Sequence, residues 1–494
     1  MNIEKSQKHS LPNIVYILAD DLGYGDVSCL NEDGKINTQN VDSIAKEGMI
    51  FTDAHSGSAV CTPTRYGVMT GRYSWRTRLK SGVLGGWSKP LMKPERMTVA
   101  SMLKANGYNT GCVGKWHLGW EWALTNKDAN TEDWMLDAKN VDFTKPITNG
   151  PTTRGFDYYF GIAGSLDMTP YVYVENDMPT AVPDRIIDGS GGQKFWRKGA
   201  IAPDFEIEGV LPKITEKAVG FIERQSKNKP FFMYFPLTAP HVPLMPTKEF
   251  QGKSGLNLWG DFVLQVDWTV GQVLKALKQK SFQDNTLVIL ASDNGATSKA
   301  DFNKLGKLGH DPSYIFRGYK TEIFEGGHRI PFIARWPGRV KPSSKSKETI
   351  CLTDLMATVA DIVDFKLPDN AGEDSVSILP VLLSKKYKKP LREATVHHSW
   401  DGSFSIRKGK WKLELCSGSG GWSPPSQKSK KAKGLPQVQL YDLKKDIAET
   451  KNVHDKYPEK VKELTALLQS YVDRGRSTPG KIQQNDGKTL IRKI

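Results

Sequence analysis

The sequence predicts an α/β protein: a large, mostly parallel central sheet flanked by helices, followed by a smaller C-terminal α+β unit with an antiparallel sheet. Three observations predict it: apolar runs of strand length, helical periodicities between them, and a change of texture after about residue 385. PNIVYILA (12–19) is almost continuously apolar and rich in Ile, Val and Tyr. Such runs are strands buried on both faces, as in sheets that carry helices on each side. KPFFMYF (229–235) and NTLVILA (285–291) repeat the pattern. Between them VDSIAKEG (41–48), MTVASMLKANG (97–107) and DWTVGQVLKALKQ (267–279) have the apolar spacing of helices. Polar, Gly-rich intervals near 120–155 and 176–210 read as long loops, and long loops inside a compact domain are usually functional.

In the C-terminal part, FSIRKGKWKLEL (404–415) alternates like an antiparallel strand pair, QVQLYDL (437–443) adds a strand, and KYPEKVKELTALLQSYVDRG (456–475) is a helix. The expected units are therefore 1–385 and 386–494. Between the strands, SGSGGWSPPSQKSKKAKGLP (417–436) is Gly/Ser/Pro-rich and then Lys-rich. It is either a solvated loop or a contact for an anionic ligand.

A chain of 494 residues, 38% hydrophobic and 25% charged, has the composition of an ordinary soluble globular protein. No run approaches the ~18 uninterrupted apolar residues of a membrane span, so no membrane association is expected. The first eleven residues lack the apolar core of a signal peptide. The expected location is periplasmic or secreted if a leader has been removed, and cytoplasmic otherwise. Lys and Arg number 69 against 54 Asp and Glu, a formal charge of +15 that attracts polyanions, whether nucleic acid or sulfated polysaccharide. No nucleic-acid-binding motif accompanies the charge. Cys29, Cys61, Cys112, Cys351 and Cys416 are scattered and form no CxxC pair, which excludes a disulfide framework and a zinc site.

Asp20 and Asp21 follow the first apolar run, and Asp293 and Asn294 follow NTLVILA. Ligands of open α/β sheets bind beyond the carboxyl ends of the strands, so the four side chains are expected to converge. Three carboxylates and an amide carbonyl suit a hard cation such as Ca²⁺ or Mg²⁺. Without one, carboxylates so close would repel each other and have raised pKa values. Cys61 opens CTPTRYGVMTG, where Pro63 fits the first turn of a helix. The cysteine is thus expected at a helix N-terminus, which favours an anion. Arg65, one turn on, is expected on the same side as a bidentate donor to an oxyanion.

The stretch C-T-P-T-R-Y-G-V-M-T-G-R resembles the C-x-P-x-R…T-G signature of the type I sulfatases. ILADDLGYGD (17–26), VGKWHLG (113–119), TAPHVP (238–243), ASDNGA (291–296) and RGYKTEIFEGGHRIP (317–331) resemble further blocks of that family, in the family's order. RKGKWKLEL and LYDLKKDIAE continue the similarity almost to the C-terminus. The resemblance implies an alkaline-phosphatase-like fold and hydrolysis of a sulfate ester. It implies that Cys61 is oxidised to formylglycine by a formylglycine-generating enzyme, and that its hydrated aldehyde is the nucleophile. Asp20, Asp21, Asp293 and Asn294, with the modified residue 61, are the implied ligands of a cation, normally Ca²⁺. Lys115 and Lys320 are implied to hold the sulfate oxygens, and Arg65 to steady the nucleophile. His241 is implied as the acid at the bridging oxygen, and His117 as the base that later deprotonates the diol.

The rival enzyme is a metal-dependent phosphatase or phosphodiesterase of the same superfamily, which normally needs a second ligand cluster and an unmodified Ser or Thr. A non-catalytic protein that binds sulfated glycans is the other alternative. Thirteen Trp residues, the basic excess and the long loops favour a sulfated carbohydrate, a carrageenan-like galactan or a glycosaminoglycan. His310, His328, His397 and His398 are the further candidates to line the sugar pocket.

Overall fold

The computed structural model describes residues 11–132, 134–425 and 429–491. Residues 1–10, and residues 426–428 of the Gly/Ser/Pro- and Lys-rich stretch, lie outside the described residues. Among the described residues the three apolar runs form the centre of one ten-stranded sheet, as Asn13–Asp20, Phe231–Pro240 and Thr286–Ser292. All three are buried along their whole length. Asn13–Asp20 runs parallel to both of the others, and Asn109–Lys115 and Tyr158–Ile162 extend the parallel part on one side. The outer strands are mixed: Phe332–Arg335 pairs antiparallel with Thr286–Ser292, and Val174–Glu175 antiparallel with Tyr158–Ile162.

The helices divide into two packed groups that cover the sheet. Leu258–Gln279 packs against both Gln39–Lys46 and Val210–Glu223 in one group, and Cys61–Thr70, Val99–Ala105 and Leu355–Ile362 contact one another in the other. The helix expected over 267–279 begins nine residues earlier, where Asn257 caps it by accepting from the Trp259 and Gly260 amides at 3.0 and 3.3 Å. No helix among the described residues is long and apolar enough to cross a membrane.

The C-terminal strands form a separate antiparallel sheet of Thr395–His398, Phe404–Lys408, Trp411–Glu414 and Gln439–Asp442. Helix Pro458–Asp473 lays Leu464, Leu468, Tyr471 and Val472 against it, with Val396, Ile406, Leu413 and Leu440 in the same apolar core. Tyr73 and Trp75, which follow helix Cys61–Thr70, insert into that core, and the Tyr73 hydroxyl accepts from the Val396 amide at 3.2 Å. The smaller unit is thereby fastened to the segment that follows residue 61.

Candidate active site

Strand register brings the two acidic pairs together. Ala19 lies opposite Ser292 in adjacent parallel strands, so Asp20–Asp21 and Asp293–Asn294 leave the sheet side by side. The Asp21 amide donates to Asp293 Oδ1 at 3.1 Å, and Asn294 Nδ2 donates to Asp21 Oδ1 at 2.7 Å. Cys61 is the first residue of helix Cys61–Thr70, after an extended Val60. Donor atoms of Asp20, Asp21, Cys61 and His241 all lie within 4.8 Å of one another. Three non-glycine residues of this region have left-handed backbone: Asp21 (φ 69°), His117 (φ 54°) and Thr321, next to Lys320 (φ 80°). For β-branched Thr321 this is a strained conformation of the kind that collects at functional sites.

Buried cations surround the carboxylates. Lys115 Nζ lies 2.7 Å from Asp20, Lys320 Nζ 2.8 Å from Asp21, and Arg65 Nη2 2.7 Å from Asp293 and 3.4 Å from Asp20. Burial, reinforced by the neighbouring Asp20, pushes the Asp293 carboxyl up to about 6, against Arg65 and Lys115. Asp20 goes the other way. Burial alone would raise it, but Lys115, His241 and Arg65 together hold it well below the usual carboxylate range. Upward shifts expected from crowded carboxylates thus hold for Asp293 and fail for Asp20, which has Lys115 in direct contact and His241 and Arg65 beside it.

The donor set fits a hard cation. Asp20 Oδ1 and Asn294 Oδ1 are fully buried acceptors with no hydrogen-bond partner, which an ion between the two strand ends would supply.

The two histidines differ in state. His117 Nε2 lies 2.7 Å from the Leu84 carbonyl, so it carries the proton, and Nδ1 is left as an unpartnered acceptor. Burial, helped by Lys115 and Arg65, holds this imidazole well below the usual histidine range. His241 Nδ1 donates to the Val242 carbonyl at 2.6 Å, and Nε2 lies 3.8 Å from Asp21. Burial and Lys320 would lower its pKa, but Asp21, Asp20 and Cys61 outweigh them and raise it. The surroundings thus favour the protonated form of the sequence-predicted acid and the neutral form of the predicted base.

Cys61, His241 and Lys320 line a cavity of about 620 Å³, within the range of small-molecule sites. Lys115 and Arg65 are fully buried and do not line it. Arg65 departs from the expectation of a bidentate oxyanion donor. Its Nε and Nη2 both donate to Asp293 Oδ2, at 3.1 and 2.7 Å, and Nη1 donates to the Lys115 carbonyl at 3.1 Å.

The four further histidines do not line this cavity, and each has a structural reason. His310 Nε2 lies 2.9 Å from Asp26, which also accepts from Trp259 Nε1. His328 and His397 stack face to face at 3.7 Å, with His55 beside them, in the seam under the C-terminal sheet. Those three offer nitrogens within 4.8 Å of one another, but His328 and His397 lie in near-parallel planes, 10° apart, which does not aim both lone pairs at one ion. His398 is buried against Phe404, and its carbonyl accepts from the Ala59 amide and Ser58 hydroxyl at 2.9 and 2.8 Å, which anchors the segment before Cys61.

The cavity walls come from residues that the sequence did not single out. Trp134 and Arg197 come from the two long loops, Ser165 and Asp167 from the segment after Tyr158–Ile162, and Trp400 and Trp422 from the C-terminal part. The available signal was the length of the loops, and for Trp422 the lone aromatic in a Gly/Ser/Pro stretch.

The sulfatase family profile matches residues 12–365. The N-acetylgalactosamine-6-O-sulfatase of Bacteroides thetaiotaomicron is 36% identical over 515 aligned residues, spanning 96% of this chain and 95% of its own. Arylsulfatase A of Homo sapiens is 30% identical over 90% of this chain and 83% of its own. A structure solved for the metabolism of multiple glycosaminoglycans by Bacteroides thetaiotaomicron superposes with a TM-score of 0.80 and 35% identity, covering 93% of this chain and 98% of that one. Ps i-CgsB, solved with k-i-k-neocarrahexaose, shares the fold at a TM-score of 0.69 and 23% identity, covering 93% of this chain and 92% of that one. Matches that run through both strand-end acidic pairs, the residue 61 helix and the C-terminal sheet leave one assignment: the chain belongs to the sulfatase family, alkaline-phosphatase-like in fold, and is a sulfuric ester hydrolase.

Proposed function

We propose that the chain removes sulfate from a sulfated carbohydrate, giving the free hydroxyl and inorganic sulfate, with residue 61 acting as formylglycine after maturation by a formylglycine-generating enzyme. The observation that carries this reading is the cluster of Cys61, Asp20, Asp21 and His241, of which Cys61 and His241 line the cavity together with Lys320. Asp20, Asp21, Asp293 and Asn294, together with residue 61, would hold Ca²⁺ or Mg²⁺. Bound there, the ion would polarise a sulfate oxygen and favour an ionised oxygen on residue 61.

The remaining groups of the chain have separable tasks. Lys320, at the cavity wall, meets the anionic sulfate, and such preorganised charge is usually the largest catalytic contribution. His241 Nε2 gives its proton to the bridging oxygen as the alcohol leaves. His117 Nδ1, already free as an acceptor, takes the proton whose removal from residue 61 releases sulfate. Arg65 fixes Asp293, and Lys115 fixes Asp20. Loss of either histidine should lower kcat by about 10²–10⁴-fold.

A sugar is favoured because three Trp residues line the cavity, and a sulfated one because the chain carries a formal charge of +15. The 36% identical relative named for N-acetylgalactosamine 6-sulfate favours a glycosaminoglycan-type amino sugar over a carrageenan-like galactan. Sulfate release across N-acetylgalactosamine, N-acetylglucosamine and galactose sulfates, carrageenan oligosaccharides, an aryl sulfate and an aryl phosphate tests this. Highest kcat/KM on an N-acetylgalactosamine sulfate is expected. Hydrolysis of the aryl sulfate alone would contradict the carbohydrate reading, and preference for the phosphate would contradict the reaction class.

A further inference from the structure

Beside His241, on the cavity wall, lies a carboxylate that the reaction described above does not use. Asp167 is only 4% exposed, and its two oxygens are in different situations. Oδ2 accepts from the Arg197 guanidinium. Oδ1 has no hydrogen-bond partner and lies 4.0 Å from His241 Nδ1, whose proton is already committed to the Val242 carbonyl. Ser165, two residues earlier and 1% exposed, likewise has an unpartnered hydroxyl and lines the same cavity. Buried polar atoms without partners are uncommon in folded proteins, and two together on a ligand cavity point to groups that the ligand satisfies.

The carboxylate is held rigidly. The Asp167 carbonyl accepts from the Arg197 amide at 3.0 Å and from the Tyr171 hydroxyl at 3.2 Å, and that hydroxyl also lies 2.6 Å from the Arg197 carbonyl. Arg197 is in turn flanked by Trp134 and Phe195, each ring centre 5.2 Å from the guanidinium carbon. Arg197 is thus a positioning residue whose charge is answered by Asp167, while Asp167 Oδ1 is the acceptor left over.

We propose that Asp167, seconded by Ser165, selects a sugar whose hydroxyl neighbouring the scissile ester is free, and rejects one that carries a second sulfate there. This rests on the carbohydrate sulfatase reading. Asp167 Oδ1 lies beside the imidazole that faces the leaving oxygen, so the group it meets belongs to the sugar that bears the ester. A hydroxyl donates to a carboxylate in a charge-assisted hydrogen bond. A sulfate has no proton to donate and would face the carboxylate as a like charge with little water between them. The ligand class is therefore a monosulfated hexosamine or hexose, not one that carries a second sulfate on a ring hydroxyl near the scissile ester.

The test compares N-acetylgalactosamine 6-sulfate with its 4,6- and 3,6-disulfates, for the wild type, Asp167→Asn and Ser165→Ala, with sulfate release and thermal midpoint recorded for each. The wild type should favour the monosulfate over at least one disulfate by tenfold or more. Asp167→Asn should lose roughly tenfold to a hundredfold in kcat/KM on the monosulfate and should narrow the preference over that disulfate. Ser165→Ala, the smaller change, should lose a few-fold on the monosulfate while melting like the wild type. A wild type that takes both disulfates as readily as the monosulfate, or an unchanged preference in folded Asp167→Asn, overturns the proposal while leaving the sulfatase reading intact. A wild type that cleaves an aryl sulfate but none of the sugars overturns the carbohydrate reading and this proposal with it.

Discussion

Asp293 shows how closely charge is balanced at the level of single residues. Its carboxyl is pushed up to about 6 by burial and Asp20, yet it is the main partner of the fully buried Arg65. Removing that partner leaves the buried guanidinium only the more distant Asp20, at 3.4 Å, as counter-charge, and breaking a buried pair costs about 3–5 kcal/mol. Asp293→Asn should therefore melt well below the wild type. Added Ca²⁺ should raise the thermal midpoint of the wild type, by an amount equivalent to about 3 kcal/mol at a hundredfold excess over Kd, and should do little to the variant. A wild type whose melting ignores Ca²⁺ and Mg²⁺ alike would contradict the cation reading. At this scale the strand-end acidic pairs and Cys61 were legible because each is tied to a recognisable local element: the end of a buried strand or the start of a helix. The directions of Arg65, His310, His328, His397 and His398 were not. A histidine beside an apolar strand is written the same whether its ring faces a cavity or the core, and only tertiary packing decides.

Helix Cys61–Thr70 is held at both ends. It stops at Gly71, which has φ 62° and closes the last turn through its amide to the Gly67 carbonyl at 2.9 Å. A Cβ at Gly71 would stand 2.7 Å from Met356 Cβ and 2.9 Å from Gly372 Cα and Ser375 Cβ. Strain and overpacking then add, so Gly71→Ala should cost about 2–4 kcal/mol, read as a lowered urea midpoint. A variant as stable as the wild type would show that this helix end is not fixed as described. Elements were legible where one pattern dominated, as in the three apolar strands, the 404–415 hairpin and the C-terminal helix. The first nine residues of Leu258–Gln279 were not, because Trp259, Gly260, Asp261, Phe262 and Val263 are all buried and leave no polar face to give a helical period.

For the molecule as a whole, the seam between body and C-terminal sheet is a buried polar layer. His55 and His328 come from the body and His397 from the sheet, with Asp53, Glu325 and Arg329 on one side and Ser405, Arg407, Lys412, Glu414 and Glu449 on the other. Burial comes first among the causes that lower all three imidazoles, His328 and His397 well below the usual range. Lys412 adds to the effect on His328, and the neighbouring imidazoles to that on His397. The folded state thus binds fewer protons than the unfolded chain, whose histidines titrate near 6.5. The stabilisation is present above about pH 6.5 and is lost as pH falls toward the lower folded values, by on the order of 1 kcal/mol per pH unit for each histidine. Urea midpoints from pH 7.5 to 5 should fall, and His397→Gln should flatten the slope. A midpoint that stays constant over that range would contradict it. The division into a large sheet and a small one was legible from texture alone. The seam was not, since its members come from four separate stretches, 53–55, 325–329, 397–414 and Glu449, and share no local pattern. Whether residue 61 works only as an aldehyde beside the strand-end carboxylates can be measured directly. Aldehyde content at residue 61, titrated with a hydrazide in preparations matured to different extents, is compared with sulfate release per chain. Activity should rise in proportion to aldehyde and vanish with it, and Cys61→Ser should lie at zero on both axes; rapid turnover by chains that keep the thiol, or by the serine variant, would contradict the account.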